Sequence, residues 1–206
     1  MSGAEKSRAH RGTAPQETTA LEEASDEDLM LSVAQGDESA FRRLAGRHAA
    51  KTFALTRRML GNDADAEEIV QEALLRVWTS APRWHPEAAF RTWLYRVTFN
   101  LCLNRRRQKA FAPLHDAADP PDPSPTAAEA LERRETAGLV AKAIDALPER
   151  QKAAIVLTYY EGLSNAETAA VLETTISSVE GLLVRAKRAL RAELGAPDAA
   201  SQGGRP

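Results

Sequence analysis

The sequence predicts an all-α protein: two small helical domains joined by a flexible, acidic, proline-rich linker. Three observations carry that expectation. Apolar residues recur at three- and four-residue spacing through most of 26–109 and again through 136–195, the pattern of helices with one buried face. Between these stretches, APLHDAADPPDPSP (112–125) holds five prolines and three aspartates, which no packed helix or strand accommodates. There is no hairpin turn between alternating apolar runs, and no repeat long enough for a solenoid.

Taken in order, residues 1–25 are rich in Ala, Thr, Glu and Ser without periodicity and read as a disordered tail. They lack the apolar core of a signal peptide. No apolar run approaches the ~18 residues of a membrane span, so the expectation is a cytoplasmic protein without membrane insertion. The single cysteine, Cys102, excludes an intramolecular disulfide and suits a reducing compartment. Ser25-Asp26-Glu27 starts the first helix, with Asp28 as the third-position acid of a capping box. From there to about Gln108 nearly everything reads helical. Gly36-Asp37 and Gly61-Asn62 punctuate the run, and Pro82 and Pro86 bracket a short loop. Helicity resumes near Ala127 and continues to about Leu194, broken at Leu147-Pro148 and Glu161-Gly162. The domains are therefore drawn at 26–109 and 136–195, with a linker at 110–135 and a second disordered tail at 196–206.

The formal net charge is only −2, but it is an average over segments of opposite sign. Residues 26–109 carry +3 and the linker carries −4. Within 61–72 there are five acids and no base; within 91–109 there are six bases and no acid. Single-sign clusters set up local potentials that the total conceals.

Three helical segments carry chemical information. In Asp65–Trp78, Ile69, Val70, Ala73, Leu74, Val77 and Trp78 make one apolar face. The other side presents Asp65, Glu68, Gln71, Glu72 and Arg76. Taken alone, this is an ordinary amphipathic helix with a wet acidic side. In Phe90–Arg107, the residues Phe90, Leu94, Val97 and Leu101 cluster toward a core. Arg96, Asn100 and Arg107 share one flank, and Trp93 stands at the boundary. The loop Arg83-Trp84-His85-Pro86 lies just upstream, and Arg91 and Asn104 belong to the same segment. Bases interleaved with aromatics suit single-stranded DNA, with cations for phosphate and rings for unstacked bases. A core role for Trp93 and Trp84 is the alternative, and it fits Trp93 better than Trp84. In the third segment, Ser164 is an N-cap with Glu167 three residues on. After a break at Glu173-Thr174-Thr175 comes Ile176–Arg191. Val179, Leu183, Ala186 and Leu190 form its buried stripe. Ser177, Ser178, Gly181, Arg185 and Arg188 project from the opposite side. A helix, a short turn and a second helix with small polar residues first and bases later is a helix-turn-helix.

In this order, DAEEIVQEALLRVW, FRTWLYRVTFNLCLNRRR, a linker and LPERQKAAIVLTYYEGLSNAETAAVL…VRAKRAL resemble the extracytoplasmic-function sigma factors of the sigma-70 family. These small bacterial initiation subunits retain only sigma regions two and four. The resemblance spans about Asp26–Leu194, making 26–109 a region 2 bundle and 136–195 a region 4 helix-turn-helix. It implies that Asp65, Glu68, Gln71, Glu72 and Arg76 dock on core RNA polymerase. It implies that Arg83, Trp84, Arg91, Trp93, Arg96, Asn100, Asn104 and Arg107 melt and read the −10 element of promoter DNA. Ser177, Ser178, Glu180, Gly181, Arg185 and Arg188 would read the −35 element in the major groove. An anti-sigma factor is the implied restraining partner. The linker would pass near the RNA exit path. No catalysis, cofactor, metal or small-molecule substrate is implied. His10, His48, His85, His115 and Cys102 show no ligand spacing.

Four positions depart from the family pattern. Glu180 and Leu182 stand where many members carry bases, and Glu180 has the chemistry to accept from a cytosine amino group. Glu173 or Thr174 replaces a common turn glycine. Asn104 stands where an acid is common. A rival reading is a sigma mimic that occupies an anti-sigma factor without binding DNA. The base-rich helix at 91–107 speaks against it, because a decoy has no use for those charges.

Overall fold

The computed structural model describes residues 24–111 and 128–195, and side chains within 24–109 and 137–195. The two tails apart from Ala24 and Ser25, the linker residues 112–127, and His10 and His115 lie outside the described residues. Helix α1 (Asp26–Ala34) is capped by Ser25, whose hydroxyl accepts the Asp28 amide at 3.1 Å and donates to the Asp28 carboxylate at 2.6 Å. Asp37 caps α2 (Glu38–Leu60) by accepting the amides of Ser39 and Ala40. Its last turn closes on Gly61 at φ 81°, a left-handed C-cap that glycine adopts without a Cβ clash.

Helix α3 (Asp63–Ser80) exceeds the expected 65–78 at both ends, because Asn62 caps it by accepting the Asp65 amide at 2.8 Å. A 3-10 turn at Ala81–Arg83 leads to α4 (Phe90–Phe111), which runs past the expected Arg107 into the assigned linker. The first amide of α4, Phe90 N–H, donates to Glu27 at 2.8 Å and ties it to α1. Helix α5 (Ala128–Asp145) likewise takes up the end of that linker. Next come α6 (Glu149–Ile155), α7 (Asn165–Val171) and α8 (Ile176–Glu193). Among the described residues there is no strand, and no helix is long and apolar enough to cross a membrane.

Helices α1 to α4 form a bundle in which α2 packs on α1, α3 and α4. Leu29, Met30, Leu44, Leu55, Met59, Ile69, Phe90, Leu94 and Tyr95 fill it and are essentially inaccessible. Each such side chain contributes on the order of 1.5–3 kcal/mol by leaving water. The second half packs α8 on α6 and α7 around Val156, Leu157, Val171, Val179 and Ala186. The expected stripe of Val179, Leu183 and Ala186 is buried, and Leu190 is partly so. The halves are in contact: α4 lies on α7, and α2 meets the π-helical turn Val156–Tyr160 that extends α6.

In the turn between α7 and α8, Glu173 has φ 49°. This identifies Glu173, not Thr174, as the residue in the conformation that glycine favours. Glu173→Gly is therefore expected to stabilise the chain by up to about 1 kcal/mol, after the entropic cost of glycine is subtracted. A rise of a few degrees in the thermal midpoint would show it, and a fall would refute it.

Candidate nucleic-acid interface

Four of the five acidic-helix residues face as expected, and one does not. Gln71, Glu72 and Arg76 are exposed, with Glu72 and Arg76 paired at 2.8 Å. Glu68 is exposed but also pairs with Arg105. Asp65, expected on the wet side, is buried. It accepts from Arg105 at 3.0 Å, from Asn62 at 2.6 Å and from Lys109, so it binds α3 to α4. Its position in the first turn of α3 turns it toward the bases of α4, a relation that helical period does not contain. Leu75, absent from the expected set, stands 60% exposed beside Glu72 and Arg76.

Burial works to raise the Asp65 carboxyl, but Lys109, Asn62 and Arg105 outweigh it and hold it below the usual value. Asp26 is governed alike: burial opposes its charge, while Arg47 and His48 overcome that cost, His48 Nε2 lying 2.6 Å away. A depressed carboxyl contributes stability that is present above the unfolded value of about 4 and is lost as pH falls through the folded one. The thermal midpoint is thus expected to drop below about pH 4. Asp65→Asn should start lower at pH 7 and fall less steeply; an identical pH profile would refute this.

Four of the six bases of 91–109 are compensated by acids, contrary to the sequence expectation. Arg91 pairs with Glu167 at 3.1 Å, Arg106 with Glu149 at 3.0 Å, Arg105 with Asp65 and Glu68, and Lys109 with Asp65. Their acids come from other helices and so are invisible within the run. Arg96 and Arg107 are exposed and without an ion pair among the described residues, as are Asn100 and Asn104. The core side behaves as expected: Phe90, Leu94 and Leu101 are buried and Val97 partly so.

Trp84, expected as the more accessible of the two indoles, is the more buried at 8% exposure. It meets Phe90 edge-on at 6.3 Å, and its Nε1–H has no hydrogen-bond partner. Trp93 leans on Phe90 at 5.8 Å and is partly exposed. Together with Arg83, His85, Glu87 and Arg96 they line a cavity of about 300 Å³, at the small end of ligand pockets. His85 and Glu87 lie outside the expected set. The Pro86 turn holds them together, Glu87 N–H donating to the His85 carbonyl at 2.8 Å.

The second candidate surface is α8. Ser164 and Glu167 complete a reciprocal capping box at the start of α7, and Thr175 caps α8 by accepting the Ser178 amide at 3.1 Å. Ser177, Ser178, Glu180, Arg185 and Arg188 are exposed. Gly181 is half covered: a Cβ built there would lie 3.3 Å from Arg185 Nη1, so the Arg185 guanidinium rests over the glycine. Val184, 58% exposed, completes the stripe Ser177-Gly181-Val184-Arg188 and also lies outside the expected set. Leu182 packs partly against the core. Cys102 is wholly buried, and burial pushes its thiol up to about 12.

A helix-turn-helix, a separate base-bearing helix with an aromatic cavity and an acidic helix on the same bundle define a class: two-part, all-helical DNA-binding proteins of transcription. Residues 44–111 match the family model for Sigma-70 region 2, and residues 137–190 match that for Sigma-70, region 4. Among curated relatives, the ECF RNA polymerase sigma factor SigW of Bacillus subtilis (strain 168) is 39% identical over 77 residues, covering 37% of this chain and 41% of that one. SigM of Mycobacterium tuberculosis (strain ATCC 25618 / H37Rv) is 37% identical over 97 residues, 46% of this chain and 50% of that one. The chain spans about half the length of these relatives. Among solved structures, CnrH in complex with the cytosolic domain of CnrY aligns at 28% identity and TM-score 0.65, covering 85% of this chain and 100% of that one. The sigma factor RpoE of Bartonella quintana, in complex with the anti-sigma factor NepR, shares the fold at 18% identity and TM-score 0.61, covering 77% of this chain and 98% of that one. The chain belongs to the sigma-70 family, in its extracytoplasmic-function group.

Proposed function

We propose that this chain is an alternative sigma factor that binds core RNA polymerase and directs it to specific promoters. The observation that carries the proposal is α4. Arg96, unpaired and exposed, lies on the rim of a cavity it shares with Trp84 and Trp93, where a cation meets phosphate while a ring meets an unstacked base. In this reading residues 26–109 engage polymerase and the −10 element, and 136–195 place α8 in the major groove at −35. Arg83, Asn100, Asn104 and Arg107 support the −10 strand. Arg185 and Arg188 meet base edges or phosphate, Ser177 and Ser178 allow close approach, and Glu180 accepts from cytosine. The polymerase supplies the chemistry, so the chain itself is no enzyme and works in the cytoplasm. Its restraining partner is an anti-sigma factor, in keeping with the NepR complex of the Bartonella quintana relative.

Gln71, Glu72 and Arg76, with Leu75 beside them, form the polymerase-facing patch; Asp65 holds α3 in place from within. Glu72→Lys is expected to reduce retention of core polymerase several-fold. Its fold should persist, because the exposed Glu72–Arg76 pair is worth only about 0.3–0.5 kcal/mol. Run-off transcription with core polymerase on a genomic fragment library tests the whole reading. Promoter-specific transcripts support it, and their absence with an intact fold refutes it. A sigma mimic would bind an anti-sigma factor yet yield no transcripts.

A further inference from the structure

Resting on that reading, we infer that Glu27 is a positioning residue for −10 recognition. Reaching from α1, its carboxylate caps α4 and so fixes Trp93 and Arg96 on the cavity they line. The need for an outside cap is written in the chain just before α4. The first amides of a helix have no partner within it, and a Ser, Thr, Asp or Asn just ahead ordinarily supplies one. Here the residue ahead is Ala89, preceded by Pro86-Glu87-Ala88. Alanine has no side-chain acceptor, and the Ala89 carbonyl takes the amides of Thr92 at 2.9 Å and Trp93 at 3.2 Å. The Phe90 amide is left over, and Glu27 Oε1 accepts it at 2.8 Å across 63 residues of chain. A carboxylate at that end also meets the positive end of the α4 dipole.

Glu27 is itself held in place. The residue before it, Asp26, accepts from Arg47 at 2.9 Å and lies 2.6 Å from His48 Nε2. The Ala24 carbonyl accepts from Arg47 at 2.8 Å. These contacts pin the first turn of α1 to α2. His48 in turn meets the Phe90 ring edge-on at 5.2 Å. The backbone and the ring of Phe90 are thus both fixed from outside α4, the one by α1 and the other by α2.

The residues that depend on this anchor lie just beyond it. Each step of three residues along a helix turns the side chain by about 60°. Phe90, Trp93 and Arg96 therefore make a slowly winding row, and they are buried, half-buried and exposed in that order. Trp93 belongs to the first turn, the part of a helix that frays. A frayed turn swings the indole away from Arg83, Trp84, His85 and Glu87, which line the cavity with it. The polymerase-facing residues Gln71, Glu72 and Arg76 stand on α3 and do not enter this set of contacts. Loss of the cap should therefore impair promoter opening and spare polymerase binding.

The experiment compares Glu27→Ala, Glu27→Gln and Glu27→Asp in the full chain. Glutamine keeps the length and an acceptor oxygen without the charge; aspartate keeps the charge but is one methylene short. Hydrogen exchange of the Phe90 amide, followed by NMR, reads the contact without DNA. Alanine and aspartate should each lower its protection about five-fold, the factor typical of losing an N-cap, while glutamine restores most of it. Permanganate detection of opened thymines, with saturating core polymerase on the parent's strongest promoter, should fall in the same order. Retention of polymerase should not change. Unaltered Phe90 protection in Glu27→Ala overturns the cap, and so does a glutamine variant as impaired as alanine. Lost protection with full opening overturns the positioning role, as does polymerase retention that falls in step with opening. A parent that opens no promoter refutes the −10 reading and this role with it, while Phe90 protection still reports the cap. If Glu27→Ala does not fold, the glutamine–aspartate pair decides the question by the same readouts.

Discussion

Trp93→Ala and Arg96→Ala are each expected to cut promoter-directed transcription at least ten-fold while leaving the fold intact. Trp93 is partly exposed where α4 begins and packs on Phe90 at 5.8 Å. A base stacked on such a ring is worth about 1–3 kcal/mol, a factor of roughly 5 to 150 in occupancy of the opened strand. Arg96 is exposed and has no ion pair among the described residues, so removing it strands no buried partner and costs little stability. Its loss removes one cation beside the cavity. The measurement is run-off transcription with core polymerase, alongside permanganate detection of opened thymines and a thermal melt. Full opening by both variants would defeat the assignment of α4. Lost opening with an unfolded chain would instead show the residues to be structural.

The second large effect is on stability. Phe90→Ala is expected to cost about 3–5 kcal/mol, the usual range for deleting a buried aromatic. Phe90 is 1% exposed and touches His48 edge-on at 5.2 Å as well as Trp84 and Trp93. It is thus the common support for α2, the loop after α3 and the cavity. Native chains have a margin of only some 5–15 kcal/mol, so this one truncation consumes a large part of it. Urea unfolding measures the effect; a midpoint shift worth less than about 1 kcal/mol would refute the central placement of Phe90. Phe90→Leu should recover much of the stability but less of the DNA binding, because leucine fills volume without presenting a ring to the two indoles.

Much of this arrangement was legible in the sequence, for reasons that differ by residue. The buried stripe Val179-Leu183-Ala186 follows from helical period. The Ser164–Glu167 box follows from local capping chemistry, and the end of α2 at Gly61 from backbone freedom. All of these are fixed within one or two turns of chain. The errors fall where a partner lies far away. Asp65 meets Arg105 and Lys109 across 40 and 44 residues, and Arg91 meets Glu167 across 76. No periodicity reports which acid answers which base. Trp84 misled because its neighbours Arg83 and His85 are polar, while its own ring turns inward to Phe90. An exposed valine such as Val184 carries no charge signature, although helical period alone sets it on the stripe beside Gly181.

One feature of α8 couples two of its surface positions. Arg185 rests over Gly181, where a Cβ would stand 3.3 Å from its Nη1, so any other residue at 181 makes the guanidinium shift by a few tenths of an ångström. A single codon change at position 181 therefore alters two things at once: the contour of the exposed face of α8 and the resting place of its neighbouring cation. Substitutions at 181 and 185 should then fail to combine additively in a double-mutant cycle. If α8 reads the −35 element as proposed, the two positions act as one unit, and drift in the target sequence is expected to proceed by jumps, not by gradual retuning.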